Sequence, residues 1–260
     1  MYIITILLFA VLLFIIQQDN TLTVSHHTIK SEKIKTDLKI VQLSDLHNKV
    51  FLGGNNKIIE KIKAENPDYI LITGDITAHN DVRKNSYAVL KQLPYIAPTY
   101  YVTGNHEYYA DFDTRVSIMS DLRSFGITVL VDESVQLADN FYLTGLDQRS
   151  LKDDTLIKLI KALPENSYSL TIAHEPHHFD NYANSGTDLI LCGHAHGGQW
   201  RLPGIGGLYA PGQGVLPKYT NGMYEKNGVK MIVSRGVGNT TCPVRIFNYP
   251  EIVSVSLKSK

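Results

Sequence analysis

The sequence predicts an α/β domain in which strands and helices alternate along most of the chain. Two observations favour this class. Short apolar runs typical of buried strands recur between segments with helical periodicity. Several of these runs are followed directly by glycine or by a polar residue, as strands that end in functional loops are. The chain has 260 residues, a length that suits one domain of moderate size with a substantial core.

The regular elements begin after a polar stretch, residues 19–36, which we expect to be a linker or an edge strand. A helix with one apolar face around residues 58–62 should stop before Pro67, because the residue before proline disfavours helical geometry. Further helices are expected at Lys84–Leu93, Arg115–Phe125 and Asp153–Leu163. Strands are expected at Leu38–Leu43, Tyr69–Thr73, Thr99–Thr103, Ile127–Val131, Phe141–Thr144, Tyr168–Ala173, Asp188–Cys192, Val229–Ser234 and Ile252–Leu257.

The amino terminus carries an almost unbroken apolar run, Tyr2–Ile16. It is shorter than the ~20 residues that cross a bilayer comfortably, and it lies at the long end for a signal peptide. No basic residue precedes it and no A-x-A cleavage site follows it, so we interpret residues 1–18 as an uncleaved membrane anchor, with a cleaved signal peptide as the alternative. Lys30, Lys33 and Lys35 would favour a cytoplasmic domain. They lie well downstream, however, and export-type anchors at the extreme amino terminus usually place the following domain outside, so we expect residues 37–260 outside the cytoplasm.

Charge and cysteine content narrow the function classes. The 25 Lys and Arg residues balance the 25 Asp and Glu residues, which argues against a protein that coats nucleic acid through a basic face. A small anionic substrate stays possible, because a metal site supplies its own positive charge. Cys192 and Cys242 lack CxxC spacing, and we expect two unpaired structural thiols, with a disulfide open if the domain is exported.

Five of the predicted strands run at their carboxyl ends into Asp, Asn or His. In α/β sheets, functional groups gather in the crevice beyond these strand ends. Asp and His are the usual ligands of Zn, Mn and Fe, and an Asn carbonyl can complete a coordination shell. A single catalytic zinc takes three protein ligands, whereas this chain offers seven candidates. They are Asp45, His47, Asp75, Asn105, His174, His194 and His196.

The number of candidates predicts two metal ions with one bridging carboxylate. Two ions roughly 3.5–4 Å apart can clamp a phosphate and activate a water molecule. Within Asp45-x-His47 and His194-x-His196, residues two apart point to the same face of an extended segment, so each pair can address one cluster. Each motif alone could be a turn or a cap; their order and their shared position at strand ends make a metal centre the better interpretation.

In order, D-L-H (45–47), G-D (74–75), G-N-H-E (104–107), H (174) and G-H-A-H (193–196) resemble the signature of the calcineurin-like metallophosphoesterase superfamily. The match spans about residues 38–200. The stretches L-S-D-L-H and G-H-A-H-G-G-Q-W-R-L-P resemble its membrane-associated, YkuE-like bacterial branch. The resemblance implies two mixed β-sheets packed as a sandwich and flanked by helices, here preceded by an apolar N-terminal helix.

The resemblance also implies roles for individual residues. Asp75 would bridge two divalent metal ions, whose identity among Mn, Fe and Zn stays open. His106 would stand beside the leaving group and donate a proton, and Glu107 would orient His106. The first metal would be held by Asp45, His47 and His196. The second would be held by Asn105, His174 and His194.

Several residues outside the signature also carry expectations. The Glu175-Pro176 pair departs from the branch, which often has a neutral residue before the proline, and Glu175 is expected to be a solvent-facing turn residue. His177 and His178 are expected at the surface. Arg235 and Arg245 are considered as anion contacts.

The resulting hypothesis is a dinuclear phosphoesterase that acts on a phosphate ester or diphosphate at a membrane or cell envelope. The alternatives are the same hydrolase acting on a soluble nucleotide or phosphomonoester, and a non-catalytic scaffold of the same fold. A metallo-β-lactamase-type site would need an H-x-H-x-D-H run, which the sequence lacks. Ester preference and oligomeric state stay open.

Overall fold

A computed structural model describes residues 2–77, 83–239 and 242–260 of the chain. Over these residues, two six-stranded mixed sheets pack face to face, with helices on their outer faces. The α/β fold class and the sandwich architecture predicted from the sequence are therefore confirmed.

The first sheet is parallel except where its long carboxyl-terminal strand, β16 (Glu251–Ser259), pairs antiparallel with β2 (Leu38–Leu43). This arrangement brings the carboxyl ends of β2, β3 (Tyr69–Ile72) and β4 (Thr99–Tyr101) to one edge of the sheet. In spatial order the strands are β1 (Thr23–Ser31), β16 (Glu251–Ser259), β2 (Leu38–Leu43), β3 (Tyr69–Ile72), β4 (Thr99–Tyr101) and β5 (Thr128–Val129).

The second sheet has a parallel centre with one antiparallel strand at each edge. In spatial order its strands are β14 (Gly222–Lys226), β15 (Val229–Val233), β9 (Leu189–Cys192), β8 (Tyr168–Ile172), β7 (Phe141–Gly145) and β6 (Glu133–Ala138). Two small antiparallel hairpins lie between β9 and β14 in the chain. They pair β10 (Arg201–Leu202) with β11 (Gly206–Gly207), and β12 (Tyr209–Ala210) with β13 (Gly214–Val215).

The helices cover the outer faces of the sheets, apart from the apolar first helix. Those in the described residues are α1 (Tyr2–Asn20), α2 (Asn56–Glu65), α3 (Lys84–Leu90), α4 (Asn105–Tyr109), α5 (Phe112–Ser124), α6 (Thr155–Lys161) and α7 (Phe179–Tyr182). Helix α2 buries the predicted isoleucine face and ends at Asn66, whose left-handed φ of 48° turns the chain before Pro67.

The alternation of side chains along each strand builds three apolar layers. In β3, Leu71 faces the layer between the two sheets, whereas Ile70 and Ile72 face the helices on the outside. In β9, Leu189 lies in the central layer and Ile190 packs outside. Because successive side chains point to opposite faces of a strand, central strands buried on both faces read as continuous apolar runs.

Two strands of the six-stranded sheets were not predicted from the sequence, for a shared reason. Strands β6 and β14 lie at the edges of the second sheet and are largely half-exposed or exposed, so their sequences ESVQLA and GMYEK lack an apolar run. The segment expected to be a linker or an edge strand, residues 19–36, contains β1. This strand stands at the edge of the first sheet and pairs in parallel with β16.

Helix α1 joins the domain only through its last turns. Most of its length is exposed, whereas the Gln18 side chain is buried and accepts a hydrogen bond from the Asn248 backbone N–H at 3.1 Å. The Phe14 ring packs edge-on against Phe247, with ring centroids 5.3 Å apart. Lys49 forms an ion pair with Asp19. The apolar part of α1 therefore leaves the domain from a fixed point.

Arg245 organises the loop that follows β15. Its side chain is completely buried, which lowers its pKa to about 10. Its guanidinium donates hydrogen bonds to the backbone carbonyls of Arg235, Gly236 and Gly238, at 2.9 Å and 3.2 Å for the first two. It also donates to the Asn239 side chain. Arg245 thus holds a loop together rather than meeting an anion.

We predict that Arg245→Met destabilises the protein. The substitution keeps the apolar volume but leaves three carbonyls without a donor, at a cost of about 1–3 kcal/mol for each unsatisfied buried group. The midpoint of thermal unfolding of the full chain, followed by circular dichroism, should fall by about 5–10 °C. Arg123→Met removes an exposed guanidinium from α5 and should change the midpoint little. Equal midpoints for the two variants would contradict the role of Arg245.

Candidate metal centre

All seven predicted metal ligands come together where the two sheets meet. Asp45 and His47 follow β2, Asp75 follows β3, and Asn105 begins α4 after β4. From the second sheet, His174 follows β8, and His194 and His196 follow β9. The two sheets thus contribute to one cluster, as expected where the carboxyl ends of parallel strands meet.

The first group of ligands consists of Asp45, His47 and His196, whose ligand atoms lie within 4.8 Å of one another. The Nε2 atoms of His47 and His196 are 3.2 Å apart. The Nε2 atom of His196 is 3.4 Å from an Asp45 carboxylate oxygen. The three side chains are buried almost completely.

The second group consists of Asp75, His174 and His194, also within 4.8 Å. His174 Nε2 lies 3.3 Å from Asp75 Oδ2 and 3.1 Å from His194 Nδ1. The Asn105 side-chain oxygen lies 3.0 Å from the same Nε2 atom. An amide oxygen therefore joins this group, as the resemblance implies.

One carboxylate oxygen faces both groups. Asp75 Oδ2 is 3.5 Å from His47 Nε2 and 3.3 Å from His174 Nε2. Its other oxygen accepts a hydrogen bond of 2.9 Å from the His106 backbone N–H. Asp75 is thus held by the backbone on one side and shared between the two groups on the other.

The donor set fits divalent cations. His47 Nδ1 lies 3.0 Å from the Thr77 carbonyl and His174 Nδ1 lies 2.6 Å from the Thr73 carbonyl. A carbonyl only accepts, so each Nδ1 carries a proton and donates, which turns Nε2 toward the cluster as the metal-binding nitrogen. The unprotonated Nε2 atoms and the carboxylate oxygens therefore face one another as hydrogen-bond acceptors, with too few protons to pair them. A positive charge among them is needed to offset their mutual repulsion.

The electrostatics of the metal-free site point the same way. Burial lowers the pKa of His47 to about 4 and that of His194 to about 3, so both imidazoles are neutral near pH 7. Burial also lowers the pKa of His174, but the carboxylates of Asp75 and Asp45 outweigh burial and raise it to about 10. A proton on His174 therefore occupies the place between acceptors that a cation would take, since metal ligands bind in their deprotonated forms.

The two carboxylates respond in opposite directions. Burial raises the pKa of Asp45 to about 6. Burial also opposes ionisation of Asp75, but the neighbouring imidazoles of His174 and His47 hold its pKa well below the usual range. Asp75 is thus the permanent negative charge at the centre of the cluster.

The backbone at the ligands adopts the left-handed conformation, which is uncommon for residues other than glycine. The five affected ligands are Asp45, His47, Asp75, His194 and His196, with φ between 41° and 66°. Residues held in this region cost free energy and cluster at functional sites. Hydrogen bonds between the loops offset that cost, among them Asp45 N–H to the Gly74 carbonyl and His47 N–H to the Asp75 carbonyl, both 3.1 Å.

Close approach of the loops explains two of the glycines. A Cβ atom at Gly104 would lie 2.1 Å from Asp75 Oδ1, and one at Gly193 would lie 1.9 Å from the Ser44 hydroxyl. Contacts this short do not occur for real Cβ atoms, so a larger residue at either position would push the carboxylates out of place.

Glu107 connects the loops around the centre. Its buried carboxylate accepts hydrogen bonds from the backbone N–H groups of Asp75, Thr77 and Gly104, at 2.9–3.1 Å. The Thr77 and Tyr101 hydroxyls also donate to it, each at 3.0 Å. Glu107 therefore braces the loops after β3 and β4 around Asp75 through their backbone N–H groups.

His106 stands beside the ligands and is more accessible than they are. Its side chain is 19% exposed, compared with 5% for His47 and 0% for His174. Its ring packs edge-on against His47 with centroids 4.6 Å apart, and its Nε2 lies 4.0 Å from Asp75 Oδ2. A molecule entering the site would meet this imidazole at the border of the cluster.

Glu175 is buried and not a solvent-facing turn residue. Its carboxylate accepts hydrogen bonds from Gln148 at 2.5 Å and from His178 at 3.0 Å, and lies 3.2 Å from His177 Nε2. Burial opposes its ionisation, but these partners and His194 outweigh burial and lower its pKa to about 2. Arg235 pairs with Glu251 at 3.0 Å, so it meets a carboxylate of the chain itself. Both cysteines are present as thiols rather than as a disulfide.

Of two cavities of similar size, one has a residue of the centre in its wall. One of about 470 Å³ is lined by Tyr108 and Asp147 together with three arginines. The other, of about 490 Å³, has His196 in its wall and is otherwise lined by Ala195, Gly198, Gln199, Trp200, Leu208, Tyr209, Pro211 and Cys242. Sequence reasoning did not single out Trp200 or Leu208 in this second cavity. The signal that could have drawn attention to them is the near absence of charge in the segment that follows His196.

Comparison with known proteins agrees with this geometry. The profile of the family described as "Calcineurin-like phosphoesterase" matches residues 38–198. An uncharacterized metallophosphoesterase of Bacillus subtilis strain 168, YkuE, is 32% identical over 247 residues, which cover 90% of this chain and 85% of that protein. A protein named phosphodiesterase YaeI, from Escherichia coli strain K12, is 31% identical over 227 residues, covering 84% of this chain and 82% of that protein.

A solved structure shares the fold. The NAD nucleotidase of Haemophilus influenzae superposes with a TM-score of 0.52 at 15% identity, covering 78% of this chain and 46% of that one. The matched family segment contains all seven clustered ligands and His106. The chain therefore belongs to the calcineurin-like phosphoesterase family and is a metal-binding hydrolase of phosphate esters.

Proposed function

We propose that the chain is a dinuclear, metal-dependent phosphoesterase that hydrolyses a phosphate ester or diphosphate of a membrane- or envelope-associated substrate. The observation that carries the proposal is the Asp75 carboxylate oxygen, which faces both ligand groups at 3.3–3.5 Å. A bridging carboxylate between two groups is the arrangement that a two-metal site requires.

Two metal ions would be held by separate groups that share Asp75. Asp45, His47 and His196 would hold one ion, and Asn105, His174 and His194 the other. When bound, the ions would neutralise charge on the phosphate oxygens and lower the pKa of a nucleophilic water. The chain fixes its ligands through Thr73, Thr77 and Glu107, so that the site requires little reorganisation during the reaction.

His106 would serve the leaving group. Its partly exposed ring borders the cluster, and the backbone N–H of the same residue holds Asp75. A proton on its Nε2 atom would pass to the departing oxygen and stabilise the charge that develops there. An enzyme of this kind would not need a basic surface, because its metal ions would supply the positive charge that binds the phosphate. The balanced charge of the chain suits a substrate recognised chiefly at the metal centre.

The proposed membrane association rests on α1. Among the described helices, α1 alone is long and apolar enough to cross a bilayer, a test that a signal sequence also passes. Its rigid attachment through Gln18 and Asp19 favours a retained anchor over a cleaved segment, because cleavage would remove side chains that are part of the folded domain. We propose that α1 anchors the domain at the outer face of the cell membrane. The anchor counts against a freely soluble nucleotide as substrate.

Removal of metal should abolish turnover. We expect the chelated full chain to hydrolyse neither p-nitrophenyl phosphate nor bis(p-nitrophenyl) phosphate, and Mn²⁺, Fe²⁺ or Zn²⁺ to restore activity, with the better ester revealing the preference. Asp75→Asn should lower metal-restored turnover by at least about 100-fold. Asp139→Asn, at an exposed turn, serves as the matched control. Full activity of Asp75→Asn, or turnover without metal, would refute the dinuclear mechanism.

His106→Ala should slow the reaction without loss of metal. The variant keeps the backbone N–H that holds Asp75, so metal content measured by mass spectrometry should stay at the wild-type value. The value of kcat should fall by about 10²–10⁴-fold for a poor leaving group. The loss should be smaller for p-nitrophenol, which departs more readily without a proton. His26→Ala, which changes an exposed histidine paired with Glu65, should retain wild-type kcat. An equal loss for both leaving groups would exclude proton donation.

Helix α1 should retain the chain in the membrane fraction of a bacterial host. Leu8→Arg places a charge near the middle of the helix at a cost of about 2.5–3.5 kcal/mol and should shift the protein toward the soluble fraction. Tyr2→Arg, at the helix end, should not, because the side chain can reach the interface. Protease added to spheroplasts should digest the domain. A soluble wild-type chain whose mass lacks the apolar segment would instead identify a cleaved signal peptide.

A further inference from the structure

The cavity beside His196 continues the metal centre into an apolar space. It measures about 490 Å³, and the residues in its wall include Trp200, Leu208, Tyr209 and Pro211. His196 is both part of this wall and part of the first ligand group. A group bound in the cavity and a phosphate at the cluster could therefore belong to the same bound molecule.

Two polar side chains of the wall, Gln199 and Trp200, donate their hydrogen bonds to backbone carbonyls. The Gln199 amide donates to the carbonyls of Cys242 and Val244, each at 2.8 Å. The Trp200 indole N–H donates to the Val244 carbonyl at 3.0 Å. With these donors bound to the backbone, the indole, leucine and proline surfaces remain to meet a ligand. Such a lining recognises hydrocarbon and offers little to a sugar or a nucleobase.

The segment that builds the cavity is also unusual on its outside. From Gln199 to Leu216 the only charged residue is Arg201, whose guanidinium is engaged with the Gly197 carbonyl and Thr220. Large apolar side chains are nevertheless exposed along the same segment. They are Trp200, Leu202, Ile205, Tyr209, Val215 and Leu216, each more than 40% exposed. Contiguous exposed apolar side chains mark contact with a membrane or a partner.

The same region holds helix α1. Within residues 242–248, Cys242 lines the cavity and the Val244 carbonyl accepts the hydrogen bond of the Trp200 indole. Phe247 of the same stretch packs against Phe14 of α1. Asn248 then joins the His196 carbonyl to Gln18, donating to the former at 2.7 Å and to the latter at 3.1 Å. The apolar helix, the exposed apolar segment and the cavity are thus built on one short stretch of chain. This continuity favours a lipid chain over a soluble apolar ligand.

We propose that this cavity, lined by Trp200, Leu208, Tyr209, Pro211 and Cys242, binds the alkyl chain of an amphiphilic phosphate ester whose phosphate lies at the metal centre. The inference rests on the proposed phosphoesterase function and narrows its substrate class to phosphorylated lipids. The substrate would lie with its chain toward the bilayer that α1 enters, and the phosphate would reach the metals without leaving the membrane surface.

Binding can be measured apart from catalysis, because Trp200 is the only tryptophan in the chain. The full chain, loaded with Zn²⁺ and reconstituted in vesicles of digalactosyldiacylglycerol, a lipid without phosphate, is titrated with 10-bromodecyl phosphate while tryptophan fluorescence is recorded. Saturable quenching that decyl phosphate displaces, and methyl phosphate displaces only weakly, is expected. Leu208→Asn, which makes the wall polar, should weaken the apparent affinity by at least about tenfold. Leu202→Asn changes an exposed leucine outside the cavity and serves as the matched control.

The kinetic arm uses p-nitrophenyl phosphodiesters with methyl, butyl and octyl chains. A fully buried methylene contributes up to about fourfold in affinity, so kcat/KM should rise at least about tenfold from methyl to octyl. This octyl-to-methyl ratio should collapse in Leu208→Asn and persist in Leu202→Asn. Cys242→Phe, which fills the cavity without polar atoms, should lower the same ratio.

The outcomes distinguish a failure of the cavity proposal from a failure of the proposed phosphoesterase reaction. A ratio that rises equally in all variants would mean that the chain merely partitions into the bilayer, and it would overturn the cavity proposal. The absence of saturable quenching would overturn it as well, even if the enzyme cleaves the methyl ester. Quenching lost in Leu208→Asn would support the cavity even if none of the diesters is cleaved, in which case the failure would lie with the proposed reaction.

Discussion

Hydrogen bonds from backbone N–H groups to buried carboxylates are the constraint on which the rest of the site depends. Asp45, from the first sheet, accepts the His194 N–H of the second sheet at 3.0–3.1 Å, and Asp75 accepts that of His106. Glu107 binds three further N–H groups of neighbouring loops. Bonds to ionised acceptors are about twice as strong as neutral ones. The loops therefore hold the ligands in left-handed conformations that they would not keep alone.

The same arrangement has an electrostatic consequence. Gathering two carboxylates and four imidazoles between two sheets removes them from water, and the pKa of each group then depends on its neighbours rather than on solvent. In the metal-free protein the proton on His174 compensates part of the negative charge. Divalent cations would replace this proton and supply more positive charge in its place. Metal binding, folding of the loops and the negative charge of Asp75 are on this account parts of a single equilibrium.

The clustering of the candidate ligands could be predicted from the sequence, whereas many of the contacts that hold them could not. Asp75 and His174 can be identified from the sequence because residue type and position at a strand end are both local features. Helix α4 and the edge strands β6 and β14 were missed, because five residues or a half-exposed strand leave little periodicity. The sequence suggests an anion contact for Arg245, because its actual partners, ten and seven residues earlier in the chain, are set by a loop conformation that no sequence pattern reveals. The cavity likewise depends on the contact of Trp200 with Val244.

The central claim is that Asp75 lies between two metal ions. A crystal structure of the full chain soaked with Mn²⁺, with anomalous differences recorded near the manganese edge, tests it most directly. The account predicts two anomalous peaks roughly 3.5–4 Å apart on either side of the Asp75 carboxylate, one beside His47 and one beside His174. A single peak at saturating Mn²⁺, or two peaks that leave Asp75 uncoordinated, would contradict the dinuclear centre.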